Sequence, residues 1–426
     1  MSSTWVLSES PRLRFAACCL LYFAQGLPFG LQGIAVPTWL AAKGVPPSAI
    51  ATYLAVIILP WAFKLVSGPL MDRFEYLHMG RRRPWVLAAQ AGLTISMLSM
   101  CLLDDITEQL ALLTLCALLV NCFAATQDVA VDGMAIELVP ANEQGRLNAF
   151  MSFGKTIGWA SSAAASGSIL VTWGLPVAAL LAALLAGLIF LVFLFVVERP
   201  GERILPWTQG QAATEHVKAR SFSQVFAGLN RVMWSRISLA MIAIMFLDGL
   251  VGGYGQALMP IAAVKLFGYT TPQWSNLVAT MGFLGAGLAL VAGPLIDRFG
   301  ARRLLLSTVV FSAAHAFTLA ATQAWWQNNT YVLIMLSVWV LLGPMAMVCA
   351  LALAMAICDE TVSATQFAVY MSIANFGTSA GAKLFGTVAE SVSYVQNYAF
   401  LGVLLLASLL TILFYRINHG EVITNS

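Results

Sequence analysis

Long apolar runs constrain this chain more than any other feature. Twelve stretches reach the roughly 20 mainly apolar residues that a bilayer-spanning helix needs. They lie at about 14–40, 48–71, 84–103, 110–136, 146–172, 175–197, 236–264, 273–296, 304–323, 330–356, 362–388 and 394–416. No period-two alternation is sustained, so a β-barrel is excluded. Composition agrees: 60% of the residues are hydrophobic and 10% charged, against about 25% charged in a soluble domain. The 22 Lys plus Arg and 19 Asp plus Glu make 41 charges, too few to coat 426 residues in water. A soluble enzyme, a disordered chain and a nucleic-acid binder are excluded. The net charge of +3 is too small to imply a polyanionic partner. The predicted fold class is an all-α membrane protein with twelve transmembrane helices, held in a lipid bilayer.

The run from Phe15 lacks a short apolar core with a small-residue cleavage site, so it is read as the first span and not a leader. The seven cysteines contain no CxxC pair and are read as free thiols. One long polar segment, 198–235, separates six spans from six. It predicts a six-helix bundle at 1–197, a cytoplasmic linker, and a second bundle at 236–426. Basic residues mark cytoplasmic loops. Seventeen of the 22 fall on one side: before span 1, between spans 2 and 3, after span 4, in the linker, after span 8 and at the end of span 12. Both termini are therefore expected in the cytoplasm.

The two halves repeat. Gly68-Pro-Leu-Met-Asp-Arg-Phe returns as Gly293-Pro-Leu-Ile-Asp-Arg-Phe, offset by 225. Gln25-Gly-Leu, followed by Gly30 and Pro37, returns as Asp248-Gly-Leu, followed by Gly253 and Pro260, offset by 223. A parallel duplication of this kind builds pseudo-symmetric bundles around one central site. In the first repeat, Gly68 and Gly293 allow close helix approach. Asp72, Arg73, Arg81 and Arg82, with Asp297, Arg298 and Arg302, would form ion-paired clusters that lock and release a gate. The competing reading is a charge cluster that only fixes orientation.

Charges inside spans are expensive in lipid and are functional by default. Asp128 and Asp132 are four residues apart on one helix face and are the candidates for proton coupling. A static pairing with Lys64 or Lys155 is the alternative. Lys64 would meet one of these carboxylates or an acidic substrate group. Lys155 lies near the cytoplasmic end of span 5, where snorkelling is a stronger alternative; Lys383, near the opposite end of span 11 with Glu390 seven residues on, ranks below Lys64. Gln25 and Asp248 occupy matching places, each followed by Gly and Pro, and are expected to line a cavity. Tyr22, Phe29, Trp39, Trp61, Tyr254 and Trp274 could wall it, although ordinary packing explains any one of them. The four histidines form no cluster with carboxylates, so no metal site and no cofactor are expected. No phosphate-binding loop and no catalytic triad pattern occur. The chain is read as a secondary transporter and not an enzyme.

These features together resemble the major facilitator superfamily: the twelve spans, the linker, and the Gly-Pro-Leu-x-Asp-Arg elements followed by Arg residues. Phe74 to Met79 lengthen the first loop relative to the family pattern. Gln25-Gly-Leu-Pro, Pro60-Trp-Ala-Phe-Lys64 and Gln127-Asp-Val-Ala-Val-Asp-Gly further resemble the branch holding muropeptide and acetyl-coenzyme A permeases. That branch also holds single-component siderophore permeases of rhizobactin, ferri-pyochelin and yersiniabactin type. Gln127 opens the most distinctive of these elements and is grouped with the cavity residues. The resemblance implies a monomer in a bacterial inner membrane that imports a small-molecule metal chelate with protons. Import of anhydro-sugar peptides is the alternative, and a signal transducer without transport is a third.

Overall fold

The structure is a computed structural model, and it describes residues 5–74, 76–103, 106, 108–210, 222–359 and 363–414. Among these residues it contains fifteen α-helices. In chain order they are α1 Pro11–Pro28, α2 Val36–Ala42, α3 Pro47–Ala62, α4 Lys64–Arg73, α5 Arg83–Ser99, α6 Leu110–Leu138, α7 Ala141–Thr172 and α8 Gly174–Phe193. There follow α9 Phe222–Met233, α10 Arg236–Lys265, α11 Thr271–Phe299, α12 Ala301–Ala321, α13 Asn329–Ala356, α14 Ser363–Val388 and α15 Tyr394–Phe414. A π-helical stretch, Phe29–Ala35, joins α1 to α2 in one rod. Pro28 lacks the N–H that an α-helical ladder requires there, and the wider π turn absorbs the fault. Counted as rods, the long helices are twelve, and this is the all-α fold predicted. Among the described residues, nine of them are long and apolar enough to cross a membrane.

Two of the three rods outside those nine, α7 and α14, are diluted by Gly, Ala, Ser and Thr. Packing explains the dilution. Gly26 of α1 and Gly30 of the π-helical stretch pack on α7, and Gly154 and Gly158 of α7 pack on α1, each meeting backbone where a Cβ would stand. A Cβ on Gly26 would lie 2.5 Å from the Lys155 carbonyl oxygen. In the second half, Gly249 and Gly253 of α10 face Gly377 and Gly381 of α14 in the same manner. The second set equals the first plus 223 at all four positions. Paired GxxxG faces let helix backbones touch where apolar burial gives no drive, as in lipid. The small residues that lower hydropathy are the ones that lock these rods together.

The chain falls into two compact units. One holds residues up to Ala219 together with Pro260–Ala286; the other holds Arg220–Met259 and the residues from Gly287 onward. Helix α9 lies inside the segment 198–235 expected to be a cytoplasmic linker. Within the first unit, one end carries a polar knot. Arg14 is buried and donates to the carbonyls of Leu7 and Ser8, and pairs with Glu143 at 2.8 Å. Leu7 N–H donates to Val197 O at 2.9 Å, so the N-terminal segment pairs with the chain after α8. The fully buried Arg83 guanidinium donates to the carbonyls of Leu194, Val196, Arg203 and Ile204. Glu198 accepts the backbone N–H groups of Arg81, Arg82 and Arg83 at 2.8, 2.7 and 2.5 Å and so caps α5.

Candidate functional site

Four rods of the first unit bring their intramembrane polar groups together. The α3–α4 rod breaks at Phe63, three residues after Pro60, and Lys64 opens the new helix. That break swings Trp61 and Lys64 toward α6. Lys64 Nζ forms an ion pair with Asp128 Oδ2, and Gln25 Nε2 donates to Asp128 Oδ1 at 2.7 Å. Asp128 is buried and both its oxygens are engaged. Asp132, one turn on, is half-buried and accepts from the Tyr22 hydroxyl. Among the described residues no cation lies within ion-pair distance of it. The two carboxylates therefore share a helix face but have different partners: one neutralised by an ammonium, the other held by a hydroxyl.

Lys155 of α7 stands beside this pair. Its ammonium lies over two rings, 5.0 Å from the centre of Trp61 and 5.7 Å from that of Tyr22. Lys64 sits 5.4 Å over the same Trp61 ring. Trp61 Nε1 donates to Asn121 Oδ1 at 2.9 Å, and Asn121 donates in turn to Gln32 Oε1 at 2.9 Å. The indole is thus held by a polar chain running through α6 into the π-helical stretch. Cation–π contacts of this kind contribute about 0.5–2 kcal/mol, more when dry.

The Lys155 ammonium is turned onto the Tyr22 and Trp61 rings, and its part in this cluster was the least visible in the sequence. The readable signal is its place between Gly154 and Gly158: those glycines face α1, so the residue beside them borders the α1–α7 contact. Asn121 and Gln32 were also missed; nothing but their polarity in an apolar run marked them.

Other expected residues lie elsewhere. Gln127 is fully buried and donates to Gln90 Oε1 at 2.7 Å and to Leu21 O at 3.2 Å, tying α6 to α5 and α1. Tyr254 is packed inside the second unit, donating to Asn397 Oδ1 at 2.6 Å against the rings of Phe385 and Phe400. Asp248 is half-buried on α10, and Lys383 is exposed on α14. Of the gating set, Arg81 and Arg82 meet Glu137 of α6 at 3.2 and 2.9 Å. Glu137 was not singled out in the sequence. Among the described residues Gly68 has only Val129 nearby, at 3.9 Å, and Arg73 is exposed. Arg298 lies over the Phe299 ring, and Arg302 donates to the carbonyls of Ile412 and Leu413 at the end of α15. The side chains of Asp72, Gly293 and Asp297 lie outside the described residues.

Membrane-length rods, packed through glycine faces, with a partly buried cluster of two lysines and two aspartates describe a membrane transporter. The chain belongs to the major facilitator superfamily, whose family pattern matches residues 18–382 and again 258–422. It is similar to the anhydromuropeptide permease of Escherichia coli (strain K12), at 25% identity over 418 residues, covering 94% of this chain and 79% of that protein. It is 34% identical over 128 residues, 30% of either chain, to an uncharacterized protein of Haemophilus influenzae. Among solved structures, a D-xylose–proton symporter superposes with a TM-score of 0.72 at 16% identity, covering 94% of this chain and 97% of the other. A nucleoside transporter superposes with a TM-score of 0.68 at 10% identity, covering 94% and 98%. At these identities the likeness speaks for the fold alone.

Proposed function

We propose that this protein is a proton-coupled importer of a carboxylate-bearing small solute, working by alternating access in a bacterial inner membrane with both termini in the cytoplasm. Asp132 carries the proton. The observation behind this is the unequal pairing of the two carboxylates. Asp128 is held charged by Lys64 and Gln25, whereas among the described residues Asp132 has only a hydroxyl to accept from. A carboxylate without a cation can gain and lose a proton without breaking an ion pair. The moving parts are the bundles at 1–197 and 236–426, joined by 198–235. Arg81 and Arg82 on Glu137, and the Glu198 cap, form the lock at the basic end.

The solute we assign first is an anhydro-sugar peptide, on the strength of the full-length similarity to the anhydromuropeptide permease. The aromatic walls beside the lysines, Tyr22 and Trp61, favour a second solute, a metal chelate with a flat aromatic ligand. Spheroplasts given labelled anhydromuropeptide, or labelled ferric and zinc chelates, separate the two. We expect one class to accumulate, and accumulation to stop when an uncoupler collapses the proton gradient. Undiminished accumulation with the uncoupler would refute proton coupling. Accumulation of neither class would refute both substrate readings.

A further inference from the structure

The Lys155 ammonium is the feature that this reading does not use. Its three N–H donors make no hydrogen bond or ion pair among the described residues; its neighbours are the faces of Tyr22 and Trp61. A half-buried ammonium in a membrane bundle is costly unless something answers its charge. Lys64 does not compete for the same partner, because Asp128 already holds it. The local charges therefore divide in a definite way. With both aspartates ionised, two cations meet two anions and the cluster is neutral. A proton on Asp132 leaves the cluster at +1. That surplus belongs to Lys155, since Lys64 and Asp128 remain matched.

We propose that Lys155 is the carboxylate subsite of this transporter, with Trp61 as the surface on which the adjoining part of the solute lies. Proton and solute are then coupled through charge: protonation of Asp132 exposes the surplus on Lys155, and a substrate carboxylate cancels it. Each favours the other, as linkage requires. At this subsite one proton accompanies one carboxylate, and the loaded cluster is again neutral. The anhydro-sugar peptide and the carboxylate-bearing chelate share the recognising chemistry. This inference rests on Asp132 as the proton carrier.

The test compares acids with their amides. Purified full-length protein in nanodiscs is titrated with an anhydromuropeptide and its C-terminal carboxamide, and with a carboxylate-bearing ferric chelate and its amide. The wild type should bind one acid about ten- to a hundredfold more tightly than its amide, the range expected for a charge-assisted hydrogen bond. Lys155→Gln should bind acid and amide equally, and Lys155→Arg should keep the preference. A monodisperse elution profile for both variants shows that they are folded. Retention of the acid preference in Lys155→Gln overturns the subsite, as does a wild type that binds acid and amide alike. Loss of the preference in Lys155→Gln, together with normal proton-driven accumulation by Asp132→Asn, would keep the subsite and refute Asp132. Absence of binding by every probe would refute both the subsite and the substrate readings.

Discussion

Asp128 and Asp132 were legible in the sequence as one face of one helix, and Lys64 as a partner for that face. Their roles were not legible, because spacing does not reveal which oxygen meets which donor. The break at Phe63 decides it by aiming Lys64 at Asp128. Gln127 shows the same limit from the other side. It heads a distinctive motif and adjoins Asp128, yet one residue of helix turns it some 100° away, onto Gln90 and Leu21. The Lys64–Asp128 pair permits a direct check. Removing one partner strands a charge, which costs about 3–5 kcal/mol in a buried pair. Lys64→Ala and Asp128→Ala should each lower thermal stability in detergent, and the double variant should recover much of the loss. Strictly additive losses in a double-mutant cycle would contradict the pairing.

At the level of elements, the twelve runs predicted the rods well, since length and apolarity are the main marks of a membrane-crossing helix. Helix α9 escaped notice because it lies in a polar stretch read as linker. The glycine faces were half legible: Gly30 and Gly253 belonged to a noted repeat, but their partners on α7 and α14 required the structure. Alanine at Gly158 or Gly381 must push against backbone and should cost about 1–3 kcal/mol by overpacking. Alanine at Gly343, where nothing among the described residues lies within 4 Å, should be neutral or slightly stabilising. Melting temperatures of the three variants check this, and equal shifts would contradict it.

The knot after α8 adds a pH dependence. Burial, and Glu198 beside it, push the Glu202 carboxyl up to about 7 from an ordinary 4.5. The folded knot then binds more protons than the open chain between those values. Its stability should fall as pH rises through that window and level off above it. Hydrogen exchange at the amides of 194–204 should quicken from pH 5 to 7.5 beyond the intrinsic rate, and Glu202→Gln should remove the excess. An excess that persists in Glu202→Gln would place the titrating group elsewhere.

Across the whole molecule, the duplication is structural while the chemistry is one-sided. Adding 223 to Gly26, Gly30, Gly154 and Gly158 reaches four packed glycines, but adding it to Asp128, Asp132 and Lys155 reaches Leu351, Met355 and Thr378. Only Gln25 has an ionisable counterpart among the cluster residues so compared, Asp248. Packing constrained both copies alike, and ionisable groups in lipid persist only where they serve a purpose. Under the proposed function, the coupling residues Lys64, Asp128, Asp132 and Lys155 all lie in the first unit.

The most direct measurement is substrate-driven proton movement in proteoliposomes carrying a pH dye. With the solute that the spheroplast assay identifies, the account predicts proton influx with solute in the wild type. In Asp132→Asn it predicts no proton influx, together with retained exchange of internal for external solute. Proton influx at the wild-type rate in Asp132→Asn would contradict it.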